Sequence, residues 1–290
     1  MAKILVTGAT GGLGKVVVET LLQTVSPSQL AVLARDLAKA ADLQAQGVAV
    51  HQGDYDDYAS LTAAFAGVEK VFLVSSNDLP NRVRQHTNVI NAAKEAGVQH
   101  VVYTSFQRKT EDGSSAAAFI AEAHLATEKL LETSGLTYTI LKNALYLEVL
   151  PLFMGPVLET GTLYLPAGDG RCAYASRTDL GVAGARVLTT PGHENQRYDL
   201  AGTESLSFAD IAQLLSELSG KKIAYVSPTA EEFGTQLMSA GVPAGAIQMT
   251  SGFSVAIEQG EFDFPSPTLT KLLGHAPESA RDFLKKAYQL

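Results

Sequence analysis

The chain predicts an α/β protein built on a doubly wound parallel sheet of the Rossmann type, followed by a smaller C-terminal α/β unit. Three observations carry this expectation. Short continuous apolar runs, the pattern of strands buried on both faces, alternate with helical-period segments through the first half. A glycine-rich turn joins the first apolar run to the first helix. The alternation breaks after Asn143 and gives way to a mixed pattern.

The first strand is KILVT (3–7), and the helix after the glycine turn carries Leu13, Val16, Val17, Thr20, Leu21 and Thr24 on one side. LAVLA (30–34) is the second strand, and Asp36 can cap a helix that runs to Gly47. VAVHQ (48–52) follows, then a short helix ending near Gly67. KVFLVSS (70–76) precedes a helix from about 82 to 96 that Gly97 stops, and HVVYTS (100–105) precedes one from about 119 to 134 that Gly135 stops. TYTILK (137–142) is the sixth strand. Such alternation, with right-handed crossovers, gives a parallel sheet with helices on both faces.

Beyond Asn143, a helix-like stretch (145–159) contains Pro151 and Pro156, and residues 161–176 read as short strands around a Gly168-Asp169-Gly170 turn. A helix over about 177–189 and RYDLAG (197–202) form one more helix–strand unit, which returns to the main sheet. Ser207 and Asp210 make a capping-box pattern ahead of Ile211, Leu214, Leu215 and Leu218. The expected division is therefore 1–144 plus about 176–202 for the dinucleotide-binding domain. The substrate domain is about 145–175 plus 203–290.

Bulk properties narrow the function. The 46% hydrophobic content of these 290 residues suffices for a full core, while a net charge of -8 argues against binding nucleic acid or an anionic membrane. The single cysteine, Cys172, excludes an intrachain disulfide and favours a reducing compartment. The N-terminal apolar run is too short for a signal peptide, and no run approaches the ~20 residues of a membrane helix. A soluble cytoplasmic protein, monomer or homodimer, is expected. The six histidines and one cysteine show no metal-ligand spacing, and no G-x-S-x-G elbow suggests a hydrolase.

TGATGGLG holds Gly8, Gly11 and Gly14 at G-x-x-G-x-x-G spacing. Glycine permits the sharp turn and lets a pyrophosphate approach the helix N-terminus, where free N–H groups favour an anion. With Thr10, Gly12 and Leu13, these residues are the expected pyrophosphate cradle. An acid about 20 residues on would hold a ribose 2′-hydroxyl. That place holds Arg35, whose donor fork suits a 2′-phosphate, with Lys39 one turn later, so NADPH is expected and NADH remains possible. Asp54 and Tyr55, at the end of the third strand, are expected to flank the adenine. Ser75 and Ser76 at the fourth strand end, with Thr104, Ser105 and Phe106 at the fifth, line the cofactor by their place on the carboxyl edge.

KILVTGATGGLG, LARDLAKA, GDYDD, HLATEK, YTILKNALY and PGHENQRYDLAG together resemble the NmrA-like branch of the atypical short-chain dehydrogenases. Within it they are most similar to the type 2 quinone reductases and triphenylmethane reductases. The likeness spans nearly the whole chain. It implies a nicotinamide-binding N-terminal domain, substrate between two domains, an NADPH-favouring cation at Arg35, and hydride transfer to a quinone or similar conjugated acceptor without flavin or metal. The branch also contains regulators that bind the dinucleotide without turning it over and act through a protein partner, which is the alternative function.

Many short-chain dehydrogenases place Tyr-x-x-x-Lys on the helix where this chain has HLATEK: His124 and Glu128 occupy the two positions, and Lys129 is displaced by one. Ketone reduction needs an acid for the alkoxide it forms. Quinone reduction forms a delocalised phenolate-type anion, and reduction of a triarylmethyl cation needs no proton, so loss of the tyrosine narrows the acceptors without abolishing activity. His124 and Glu128 share a helix face. His124 is either a proton donor or a packing residue, while Glu128 reads as a surface or helix-packing residue. Asn143 and Tyr146 follow the sixth strand at the substrate edge, and Tyr146 with Phe106 and Phe153 can stack on a flat acceptor. His86 reads as a helix-face histidine.

Overall fold

A computed structural model describes residues 3–290. Seven parallel strands form the main sheet: β1 (Ile4–Val6), β2 (Leu30–Ala34), β3 (Ala49–Gln52), β4 (Lys70–Leu73), β5 (His100–Phe106), β6 (Thr137–Asn143) and, after an excursion, the strand Gln196–Leu200. The spatial order is β3-β2-β1-β4-β5-β6 with Gln196–Leu200 at the far edge. The order reverses between β1 and β4, the switch point where parallel sheets open a ligand crevice at their carboxyl ends.

Strand periodicity divides the core into two layers. Leu5, Leu33, Val71, Leu73, Val101, Tyr103 and Ile140 face one side. There they meet α3 (Tyr58–Phe65), α4 (Arg82–Glu95) and α5 (Ala118–Ser134), which bring Leu61, Val89 and Leu131. Val6, Val32, Phe72, Val102 and Leu141 face the other side, against α1 (Gly12–Leu21). The segment expected as one helix to Gly47 is instead a 3-10 turn (Leu37–Ala40) and the five-residue α2 (Ala41–Ala45), with Asp36 accepting from the Ala38 N–H at 3.0 Å.

The excursion after β6 is irregular. The stretch expected as a helix over 145–159 breaks into a 3-10 turn (Leu147–Val149), α6 (Leu150–Met154) and α7 (Val157–Thr160). Pro151 and Pro156 cannot donate to a helical ladder, and Gly155 sits at φ +54° between the pieces. β7 (Thr162–Tyr164) and β8 (Arg171–Cys172) flank the Gly168-Asp169-Gly170 turn but do not pair with each other. The chain then returns through α8 (Arg177–Thr189), which packs with α1, to β9 (Gln196–Leu200), parallel to β6.

The remainder comprises β10 (Leu206–Ser207), α9 (Phe208–Ser219), β11 (Ala224–Val226), α10 (Ala230–Ser239), α11 (Ala244–Glu258), α12 (Pro267–Leu273) and α13 (Ala280–Tyr288). β8 pairs with β10, and β7 pairs with β11. The Ser207–Asp210 capping box that starts α9 is present. A separate core joins Phe106, Leu150, Leu163, Phe208, Ile211, Leu215, Phe262 and Leu284. The division at residue 203 places α12 in this second unit, but Leu269 and Leu273 lie in the α1–α8 layer of the first. No helix among the described residues is long and apolar enough to cross a membrane.

Two buried charged groups bind α5 to the end of β5. Glu128 accepts from both Nη atoms of Arg108 at 2.9 and 2.8 Å, and from the Ser105 hydroxyl. Arg108 Nη1 also donates to the Phe106 carbonyl at 2.9 Å, and its Nη2 meets Glu111 at 2.9 Å. The guanidinium is fully enclosed, and Glu128 is only 3% exposed. Glu261 accepts from the Lys109 and Thr110 N–H groups, both at 2.8 Å, so the second unit grips the same loop.

Removing one partner of such a pair strands the other charge in the interior, whereas an apolar pair of similar volume need not destabilise. Glu128→Gln is therefore expected to lower unfolding free energy by about 3–5 kcal/mol. The double change Arg108→Met with Glu128→Leu should recover much of that loss. Equilibrium urea unfolding of both variants decides.

Candidate active site

The carboxyl ends of β1, β4, β5 and β6 form the edge where parallel sheets of this topology take their ligands. Thr7 follows β1, and its hydroxyl donates to the Phe72 carbonyl at 3.1 Å and accepts from the Val74 N–H at 3.0 Å. This crosslink opens the strand ends into Gly8 at φ +61°, where an added Cβ would lie 2.9 Å from Val74 Cβ. A Cβ on Gly14 would lie 2.3 Å from the Gly8 carbonyl oxygen, so the loop folds back on its own helix only because both positions are glycine.

Helix α1 begins at Gly12, with no side chain capping its N-terminus and no acid in its first turn. Its first N–H groups are free for an anion. Thr10, Gly11 and Gly12 are exposed there, while the Leu13 side chain is buried in the core and leaves only its backbone for a ligand. Arg177, the first residue of α8, runs alongside: its Cδ is 3.2 Å from where a Gly12 Cβ would lie, and its guanidinium stands 4.5 Å over the Tyr146 ring. Arg35 projects from the end of β2 with 84% of its side chain exposed, its Nε 4.0 Å from Asp54 Oδ2. Lys39 is exposed nearby.

Several expected lining residues point into the scaffold. The Tyr55 hydroxyl bonds to Thr7 Oγ1 and, at 2.8 Å, to the Val74 carbonyl, so it ties the β3 end to β1 and β4. Burial pushes its phenol pKa up. Thr104 Oγ1 accepts from the Ser75 N–H at 2.9 Å and faces the Leu73 carbonyl at 3.4 Å. The Ser76 hydroxyl donates to Gln85 Oε1, and the Ser105 hydroxyl donates to Glu128. These side chains brace loops, because buried hydroxyls take protein partners when water is excluded, and the residues keep the places on the carboxyl edge for which they were expected to line the cofactor.

His124 is also placed differently from an acid-catalyst expectation. Arg82 Nη1 lies 3.4 Å from His124 Nε2. A guanidinium can only donate, so Nε2 accepts, and the proton sits on Nδ1, 2.7 Å from the Tyr103 oxygen. Burial, then the Arg82 charge, holds the imidazole pKa well below its usual range. His124 is neutral at pH 7, and its ring stacks on Phe106 at 5.9 Å. Glu128, expected as a surface or packing residue, is the buried counter-ion of Arg108 described above. His86 is equally fixed: Nε2 accepts from the Ser76 N–H at 2.9 Å. The Thr127 hydroxyl donates to Ala123, so its oxygen accepts from His86 Nδ1 at 2.8 Å.

Asn143 closes the edge, buried, with its Oδ1 lacking any partner. Tyr146 is half-buried beneath Arg177. Phe106 and Phe153 do not meet directly. Both meet Phe253 of α11, at 6.1 and 6.4 Å, which Phe119 and Phe262 also approach. Phe253, Arg82, Tyr103 and Arg177 were not identified from the sequence. One signal was present: Arg82 and His86 on α4 repeat the four-residue spacing of His124 and Glu128 on α5.

The neutral histidines set an acid limit. Burial depresses His86 to about 3 and His100 to about 4, with His124 lowered as well. Unfolded, each titrates near ~6.5, so below that pH the unfolded chain binds protons that the fold refuses. Their contribution to stability is complete above ~6.5 and declines as pH falls towards about 4, by up to ~1.4 kcal/mol per pH unit for each ring. Urea unfolding between pH 7 and 4 should show this decline, and His86→Gln should make it shallower.

Known proteins match this chain along nearly their full lengths. Quinone oxidoreductase 2 of Escherichia coli (strain K12) is 42% identical over 272 residues, which is 94% of each chain. The solved structure of the NADPH-dependent quinone oxidoreductase QOR2 from Escherichia coli, complexed with NADPH, superposes with a TM-score of 0.93 at 40% identity, covering 98% of this chain and 99% of that one. The triphenylmethane reductase of Citrobacter sp. gives a TM-score of 0.91 at 38% identity, covering 99% and 100%. The profile of the NmrA-like family matches residues 1–282, and the chain belongs to that family.

Proposed function

We propose that this chain is an NADPH-dependent reductase that passes hydride directly to a quinone or a similarly flat conjugated electrophile, without an intervening flavin. That it is an NAD(P)H-dependent oxidoreductase follows from its likeness to quinone oxidoreductase 2 over 94% of each chain and to the NAD(P)H azoreductase of Xenophilus azovorans over 83% of this chain. The observation that carries the choice of acceptor is the pair at residues 124 and 128. One is a neutral imidazole and the other an ion-paired carboxylate, so neither is an acid strong enough to trap an alkoxide. Acceptors whose reduced form is a stabilised anion or a neutral molecule remain open to such a site.

The residues fit a dinucleotide. The uncapped N-terminus of α1 offers backbone donors to the pyrophosphate, with Arg177 beside it. Arg35 extends into solvent where a 2′-phosphate would lie, and Lys39 adds a second cation. Bound NADPH would supply the hydride. Asn143, with its unpartnered buried oxygen, would accept from the nicotinamide amide, and Phe106, its neighbour across β5 and β6, would form one wall. Tyr146 and the Phe106–Phe253–Phe153 group offer aromatic faces to a flat acceptor. His124 positions Tyr103 and Phe106 as a packing residue, and the product takes its proton from water.

Two measurements test this reading. Anaerobic loss of nicotinamide absorbance with a small benzoquinone should saturate and should prefer NADPH; intact cofactor binding without turnover across several acceptors would sink the proposal. Arg35→Gln should raise KM for NADPH about 10–100-fold, the loss of one charged hydrogen-bond set, and leave KM for NADH nearly unchanged. Equal effects on both would remove Arg35 from the 2′-phosphate site.

A further inference from the structure

The chain buries two arginines at the crevice, and they differ in one respect. Arg108 is neutralised by Glu128 and Glu111. Arg82 is 5% exposed, yet among the described residues no carboxylate oxygen comes within 4.0 Å of it. Its Nε donates to the Ser76 carbonyl at 2.6 Å, and its Nη1 faces the neutral His124 at 3.4 Å. It is also the first residue of α4, whose first turn carries no acid, so the helix dipole opposes a cation there. Burial without a counter-ion and a like-signed helix end both disfavour this charge, and a burial cost of several kcal/mol is expected for an unpaired ion. Burial lowers the guanidinium pKa, while the nearby Tyr103 and Tyr146 phenols raise it, and the group stays cationic at neutral pH.

Its neighbours locate it. Ser76 lies in the loop after β4, His124 stacks on Phe106 at the end of β5, and Tyr146 follows β6. Arg82 therefore stands behind the strand ends where the acceptor would lie. We propose that Arg82 is a catalytic residue that holds the negatively charged oxygen formed when a quinone receives hydride. The proposal rests on the quinone-reductase reading. The C–H bond of the reduced nicotinamide breaks with its electron pair. The nicotinamide is oxidised, the quinone becomes a hydroquinone monoanion, and water then protonates that anion. A preorganised cation aimed at the developing charge lowers the barrier because it needs no reorganisation during the step.

The test uses acceptors of opposite charge change. A benzoquinone goes from neutral to anion, and a triarylmethyl cation goes from cation to neutral. In Arg82→Gln the ratio of kcat for the quinone to kcat for the dye should fall about 10²–10³-fold, and Arg82→Lys should restore part of it. Parallel losses with both acceptors would overturn the proposal in favour of a strut. Weaker NADPH binding with an unchanged ratio would also overturn it, since the cation would then serve the cofactor phosphates.

A second readout needs no turnover. 4-Nitrophenol, a stand-in for the hydroquinone anion, is titrated by absorbance in the wild-type protein with NADP⁺. Binding as the phenolate below its solution pKa supports the proposal, and binding as the neutral phenol overturns it. This titration decides if Arg82→Gln fails to fold. If the wild type reduces neither acceptor, the quinone-reductase reading fails, and the titration still reports on the anion site.

Discussion

The contact between Arg108 and Glu128 governs the working edge of this protein. It joins the loop after β5 to the middle of α5 through two N–H···O bonds at 2.8–2.9 Å in a site closed to water. The same guanidinium holds the Phe106 carbonyl, and the same carboxylate holds the Ser105 hydroxyl. The two residues after Thr104 are thereby fixed, one by its side chain and one by its carbonyl. Phe106 in turn sets the His124 ring, and the loop beyond Arg108 is held by Glu261 from the second unit. Buried ion pairs are weak sources of stability, but they specify geometry well when every lone pair is matched. Here that geometry defines the wall of the crevice.

Most of the sheet was legible because buried parallel strands leave an unmistakable pattern. KILVT, LAVLA and HVVYTS are apolar along both faces, and each becomes a strand in the expected order. Gly97 and Gly135 both take positive φ at the helix ends they were expected to stop. Failures came where local chemistry was overruled by contacts distant in sequence. The stretch at 145–159 has helical periodicity, but two prolines and a left-turning Gly155 divide it. The short strands expected around Gly168 are present, and their partners, which were not assigned from the sequence, lie more than 30 residues later.

The site was legible in its backbone and less so in its side chains. Glycine spacing marks the phosphate loop because only glycine fits the 2.3 Å approach at Gly14. Hydroxyls at strand ends give no such signal. Thr104 and Ser105 are adjacent, so they point to opposite faces, and which one meets a ligand depends on what packs behind each. Glu128 looked like a surface charge because its partner, Arg108, lies 20 residues away in an irregular loop. Arg82 was invisible for a related reason: an arginine at a helix start usually faces solvent, and only the packing of α4 against α5 shows that this one is enclosed.

The proposed reductase works through placement and charge, with a neutral imidazole and an ion-paired carboxylate at residues 124 and 128. Its central claim is direct passage of hydride from nicotinamide carbon to acceptor. The most direct measurement uses NADPH carrying deuterium at C4, each face labelled in turn, with a triarylmethyl cation as acceptor in ordinary water. The new carbon–hydrogen bond on the central carbon does not exchange, so the label can be read by mass spectrometry. The account predicts that deuterium from one face is retained in full on that carbon. Deuterium lost to water, as an intervening flavin or a stepwise electron and proton route would give, contradicts it.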